Sequence, residues 1–163
     1  MTRRKQPARP EATLLPPVDP ERDDANHGRT INRKQLLEMI RRKEKFDDAD
    51  FRGCDLSGIA FDGLDLTNAK FAESNLSKCS FRGANLTGAS FFGASLKDAC
   101  LEEALLEETD FDYAWLDGVT FRGAKIRKAV FPLKRLSLDT IRESVRTGKR
   151  VAMEPFALDD EEP

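Results

Sequence analysis

From Phe46 to Phe131 an apolar side chain falls at every fifth position, eighteen times without a break. The series runs Phe46, Phe51, Leu56, Phe61, Leu66, Phe71, Leu76, Phe81, Leu86, Phe91, Leu96, Leu101, Leu106, Phe111, Leu116, Phe121, Ile126, Phe131. Two positions earlier in most units stands a smaller residue, as at Ala49, Cys54, Ala69, Ser74, Cys79, Ala84 and Thr109, and two positions later glycine recurs at 53, 58, 63, 83, 88, 93, 118 and 123. A period of five suits neither a helix, which repeats near 3.6, nor a strand, which repeats at 2. The chain must therefore turn once per unit. A short extended edge followed by a corner lets the large and the small apolar residue both point inward, and glycine suits a corner that needs positive φ. Such a chain is a solenoid, in which each unit buries its apolar face only against its neighbours.

A second period lies inside the first. Sorted by twenties, Phe51, Phe71, Phe91, Phe111 and Phe131 share one face and Phe61, Phe81, Leu101 and Phe121 the opposite one, with Leu66, Leu86, Leu106, Ile126 and Leu56, Leu76, Leu96, Leu116 on the faces between. Four edges per coil is the simplest geometry that stacks like on like.

These residues resemble the pentapeptide-repeat proteins, whose motif is A-(D/N)-L-x-x. Ala84-Asn85-Leu86-Thr87-Gly88, Cys54-Asp55-Leu56-Ser57-Gly58 and Ser74-Asn75-Leu76-Ser77-Lys78 carry the resemblance. It implies an all-β solenoid, a right-handed quadrilateral parallel β-helix. On function it is open, because the family includes gyrase-protecting DNA mimics, regulatory binders and secreted effectors.

The flanks read differently from the repeat. Residues 1 to 30 hold five prolines and few apolar side chains, which is the composition of a disordered tail. From 31 to 45 the spacing of Ile31, Leu36, Leu37, Met39 and Ile40 is helical, with Thr30 or Asn32 as a cap; this segment reads as an N-terminal capping helix over an otherwise open sheet edge. Its basic face, Arg33, Lys34, Arg41, Arg42 and Lys43, reads as solvated. The repeat spans 46 to 136 and decays at Pro132 and Lys134. Residues 137 to 163 then supply a C-terminal capping helix over 139 to 147, stopped by Gly148, further cover from Val151, Met153 and Phe156, and an acidic tail at 159 to 162.

Catalysis finds no support in this pattern. The single histidine, His27, lies in the proline-rich segment, so the repeat has none for acid–base or nucleophilic work, and three cysteines without a histidine nearby make no zinc constellation. Cys54 and Cys79 occupy inward slots and read as free core thiols. The expectation is a protein that is not an enzyme and takes no cofactor or metal. A net charge of -2 favours neither nucleic acid nor an anionic membrane, and the absence of an apolar run of spanning length leaves a cytoplasmic, bacterial-type protein as the expectation.

Charge along the rod is uneven. Residues 98 to 117 carry Asp98, Glu102, Glu103, Glu107, Glu108, Asp110, Asp112 and Asp117 with no base, whereas 118 to 138 carry six bases and no acid. Offsets of twenty set Glu102 between Arg82 and Arg122, Glu107 against Arg127, Glu108 against Lys128, Asp117 against Lys97 and Asp98 against Lys78; Glu103, Asp110 and Asp112 find no base at either offset. With fifteen acids against nine bases from 46 to 131, the rod is too neutralised for a strong DNA mimic. Three large aromatics, Phe92, Tyr113 and Trp115, occupy outward slots near one corner, where Asp112 would stack on Phe92 and Arg135 on Trp115. They are candidate anchors for a partner, since aromatics dominate binding hot spots; the alternative is that Trp115 is a cation–π cover under Arg135. Two function classes follow: from the residues, an interaction or scaffold module with an unidentified protein partner; and, as the resemblance implies, a DNA mimic that binds gyrase, for which Glu103, Asp110 and Asp112 are the candidate acids. Some relatives dimerise through the C-terminal helix, so a homodimer is a further expectation, and export as a secreted effector is a weaker one.

Overall fold

The computed structural model describes residues 32–155. The readings of segment 1 to 30, of Thr30 as a cap, of Ile31, of Phe156 and of the acids at 159 to 162 fall outside them. Thirteen parallel bridges run from Asp50↔Lys70 to Asp110↔Val130, and each joins residues twenty apart. The chain is thus a four-sided coil whose successive turns hydrogen-bond to one another. The ladder is the same on every edge. Phe51 N–H donates to Lys70 O at 2.7 Å, Lys70 N–H to Ala49 O at 2.8 Å, and Gly53 N–H to Ala72 O at 2.9 Å. Each edge pairs only once before the corner, so no long strand forms, and a local bond such as Ala84 N–H to Phe81 O at 3.0 Å closes the bend.

The corner residue is left-handed whatever occupies it. Gly83 has φ 65°, but Asn68, Glu73, Lys78, Glu108 and Tyr113 take φ between 57° and 60° at the equivalent position. Bonding between coils, repeated at every turn, holds these side chains in a conformation that costs an isolated L-residue about 1–2 kcal/mol.

Inside, the phenylalanines form two columns. Phe51, Phe71, Phe91, Phe111 and Phe131 stack nearly parallel with centroids 5.0–5.3 Å apart. Phe61 and Phe81 stack likewise at 5.1 Å, and rings of the two columns meet edge-on, as in Phe81–Phe91 at 5.8 Å and 83°. Inward polar residues spend their donors on backbone: Ser74 Oγ on Phe71 O at 2.6 Å, Thr109 Oγ1 on Leu86 O at 2.9 Å and Cys79 Sγ on Leu56 O at 3.0 Å. A buried hydroxyl without such a partner would be costly. Cys54, Cys79 and Cys100 form no disulfide with one another.

Helix α1 spans Arg33–Arg41, with Asn32 Oδ1 accepting from Gln35 N–H at 3.1 Å, and it buries Leu36 and Met39. It is shorter than the segment 31 to 45 because Lys43, at φ 54°, turns the chain towards the first coil. Arg33 Nη2 ties the helix to Ser57 O at 2.7 Å. Helix α2 spans Leu138–Thr147, capped by Ser137, stopped by Gly148 at φ 77°, and buries Ile141 and Ser144. Its Ser144 Oγ accepts from Phe121 N–H at 3.2 Å and its Val145 O from Gly123 N–H at 2.9 Å. Beyond it the chain doubles back over the last coil: Gly118 N–H donates to Val151 O at 2.7 Å and Val151 N–H to Val119 O at 2.8 Å.

Candidate interaction surface

The corner slots decide which side chains leave the rod. Phe92 follows the inward Phe91, and Tyr113 is the corner residue one coil later. Gly93, one coil before Tyr113 in its own column, has no side chain, so nothing holds the tyrosine ring away from Phe92. The two rings meet with centroids 5.2 Å apart and tilted by 59°, although both stay open to solvent, Phe92 at 42% and Tyr113 at 67% exposure. Asp112 stands one coil above Phe92 in register, its carbonyl accepting from Gly93 N–H at 3.0 Å. Its Oδ1 accepts from Tyr113 N–H at 3.1 Å, while Asp110 Oδ1 accepts from Asp112 N–H at 2.8 Å. The pair therefore sits on a corner whose backbone is braced by two carboxylates.

Trp115 belongs to a different assembly. The Arg135 guanidinium lies 4.3 Å from its ring centre, as the offset of twenty suggests. Arg135 in turn donates through Nε and Nη2 to Glu154 O at 3.0 and 2.7 Å and accepts from Glu154 N–H at 3.0 Å. Trp115 thus lies under an arginine that the returning C-terminal segment holds, and it keeps 38% exposure. Of the three outward aromatics, the structure brings Phe92 and Tyr113 together and ties Trp115 to that segment.

Five acids of this coil, Asp98, Glu103, Glu107, Glu108 and Asp117, have partners from other coils or from the C-terminal segment, some of them not those at an offset of twenty. Glu107 meets Arg127 at 2.7 Å and Glu108 meets Lys128 at 3.4 Å, as read from the sequence. The Arg127 hydrogen bond, reinforced by its charge, lowers the Glu107 pKa; Arg127 is exposed and Glu107 half-buried. Arg82, expected at Glu102, reaches Glu103 at 3.4 Å instead. Asp98 pairs with Arg150 at 3.6 Å rather than with Lys78, and Asp117 Oδ1 accepts from Met153 N–H at 3.1 Å rather than meeting Lys97. Both corrections have one cause: the segment after Gly148 crosses this face and brings its own donors. Glu103 is paired because a long arginine reaches one residue beyond its vertical neighbour. No helix among the described residues is long and apolar enough to cross a membrane.

A family model described as "Pentapeptide repeats (8 copies)" matches residues 45–83 and 69–107, the stretch in which the bridges repeat at twenty. Residues 45–107 carry pentapeptide repeats. Among solved structures, this pentapeptide-repeat chain is similar to a pentapeptide repeat protein from the Arabidopsis thaliana thylakoid lumen at 42% identity, covering 50% of this chain and 56% of that one, with a TM-score of 0.49. It therefore spans little more than half the length of that relative. A pentapeptide repeat protein from Nostoc PCC 7120 matches at 26% identity over 62% of this chain and 88% of its own, with a TM-score of 0.47. QnrB1, a plasmid-mediated fluoroquinolone resistance protein, matches at 23% identity over 53% of this chain and 47% of its own, with a TM-score of 0.28. No curated protein matches by sequence.

Proposed function

We propose that the chain is a non-catalytic interaction module, a right-handed pentapeptide-repeat rod that offers the Phe92–Tyr113 corner to a protein partner. The observation that carries this reading is the ring pair itself. The inward slots of its coil are filled by Phe91, Ala94, Phe111 and Ala114, all buried, so packing inside the rod does not call for either ring. Two aromatics held against each other at 5.2 Å and open to water form a rigid anchor with little entropy left to lose. Trp115 serves the fold rather than the partner, through Arg135. A cytoplasmic location and a homodimer through α2 belong to the same reading.

The experiment is a melt and a binding titration on one double variant. The full-length tagged protein identifies the partner in extracts of its source, and the purified pair is then titrated. Phe92→Ala with Tyr113→Ala should shift stability by no more than about 1 kcal/mol and weaken binding by 2 kcal/mol or more, roughly 30-fold. Unchanged binding would discard the corner. Trp115→Ala should do the reverse, lowering stability with little effect on binding.

The second reading is the gyrase-binding DNA mimic. Asp110 and Asp112 favour it, since their carboxylates, although half-buried and bonded to backbone N–H groups, form no ion pair among the described residues. Against it stand the pairs at Glu103, Glu107, Glu108 and Asp98, which leave no continuous anionic face. Purified gyrase separates the two classes. A mimic inhibits supercoiling at micromolar protein and loses that effect when Glu103, Asp110 and Asp112 are changed to lysine; the interaction module does neither.

A further inference from the structure

The two ends of the rod are closed unequally. At the first coil α1 lays Leu36 and Met39 over the inward residues, and Phe46, Phe51, Leu56 and Phe61 are fully buried. At the last coil α2 and Val151 answer the backbone of Gly118, Val119, Phe121 and Gly123, which closes the Phe121 edge and the corner before it. The Ile126 edge is left open. One coil earlier, Leu106 N–H donates to Lys125 O at 2.8 Å, Lys125 N–H to Ala104 O at 3.0 Å and Glu108 N–H to Arg127 O at 3.0 Å. At the equivalent positions of the last coil, among the described residues, Ile126 N–H and Lys128 N–H meet no acceptor and Ala124 O meets no donor. Side chains tell the same story. Ile126 and Ala129 are only partly buried, unlike their counterparts in the coils before, and Val130 is 51% exposed. Val145 of α2, also partly buried, packs against the same core. An unpaired parallel edge is a template for another strand.

We propose that the Ile126 edge takes up an extended segment of a partner protein by parallel strand addition, the segment carrying a small, an acidic and an apolar residue in succession. The register fixes this chemistry. The incoming residue whose carbonyl receives Ile126 N–H also gives its own N–H to Ala124 O, as Lys125 does for Leu106 and Ala104. Its side chain then stands over Lys125, the residue before it over Ala124, and the residue after it over Ile126. Ala124 leaves room for a small residue and Ile126 asks for an apolar one. Lys125 asks for an acid: it is exposed and forms no ion pair among the described residues, whereas the neighbouring Arg127 and Lys128 are already engaged by Glu107 and Glu108. This proposal does not depend on the Phe92–Tyr113 corner.

Amide exchange on the full-length protein tests it. The probes are a blocked peptide containing Ala-Glu-Ile and a twin with lysine in place of the glutamate. The Glu peptide should slow exchange at both Ile126 and Lys128 by tenfold or more, with the Lys peptide at least tenfold weaker. Lys125→Glu, an exposed change whose fold a melt verifies, should reverse that preference. Three results overturn the proposal: neither peptide slows the two amides at millimolar concentration; the amides are already protected in a free monomer, so that the chain covers its own edge; or they are protected only in a sedimenting dimer, so that a second copy occupies it.

Discussion

Cys79 stands in a slot that alanine fills in several other coils, 1% exposed, with its thiol donating to Leu56 O. Burial there pushes its pKa up to about 11. In the unfolded chain a thiol ionises near pH 8.5, so above that value the unfolded state loses a proton that the native state keeps. Stability from this group is complete below about pH 8.5 and is lost as pH rises towards about 11, with a ceiling on the order of 3 kcal/mol. Denaturant melts at pH 8 and pH 10.5 should therefore show a larger alkaline loss in the wild type than in Cys79→Ala. Equal losses would mean that the thiol is not held neutral by the core. At this scale the sequence reads well where side chains are short and inward, as at Ser74, Cys79 and Thr109. It reads less well where they are long, because Arg82 has several acids within reach and only three-dimensional placement chooses Glu103 over Glu102.

Among the elements, the corners show what glycine contributes. A Cβ at Gly83 would meet nothing within 4 Å, so Gly83→Ala should cost only the left-handed penalty, about 1–2 kcal/mol. Gly118 has the same sign of φ, but its Cβ would run into the Asp98 carboxylate, and its N–H and C=O are both held by the returning segment, through Val151 O and Arg150 Nη1. Gly118→Ala should thus destabilise by at least 1 kcal/mol more than Gly83→Ala in paired thermal melts; similar losses would show that the segment shifts at no cost. The repeat was legible because every edge solves one packing problem with one pair of residues, so period reports geometry directly. After Gly148, cover from Val151 and Met153 was legible, but the residues they meet were not. Val151, Met153 and Glu154 find backbone and side-chain partners on residues 116 to 119 and 135, and no periodicity links those two stretches. The sequence places Trp115 at one corner with Phe92 and Tyr113 and pairs it with Arg135; the hold of Glu154 on Arg135 is what only the structure adds.

For the whole molecule, eighteen edges at four to a coil make a rod of 4.5 coils, roughly 22 Å long at about 4.8 Å per coil. Its stability is a sum of contacts between adjacent coils. Phe91 touches Phe71, Phe81 and Phe111, so Phe91→Ala opens a cavity that weakens the coil on each side and should cost about 3–5 kcal/mol in urea melts. A loss below 1 kcal/mol would contradict the columns. The coil also keeps two clocks. Inward slots recur every five residues and backbone bridges every twenty. An insertion of twenty residues would lengthen the rod by one turn and leave every face where it was. An insertion of five would still satisfy each slot, yet it would rotate everything downstream by a quarter revolution. The bearing of the aromatic corner relative to the open Ile126 edge is therefore a dial with four settings, and small insertions or deletions between Tyr113 and Ile126 could turn it without rebuilding the core.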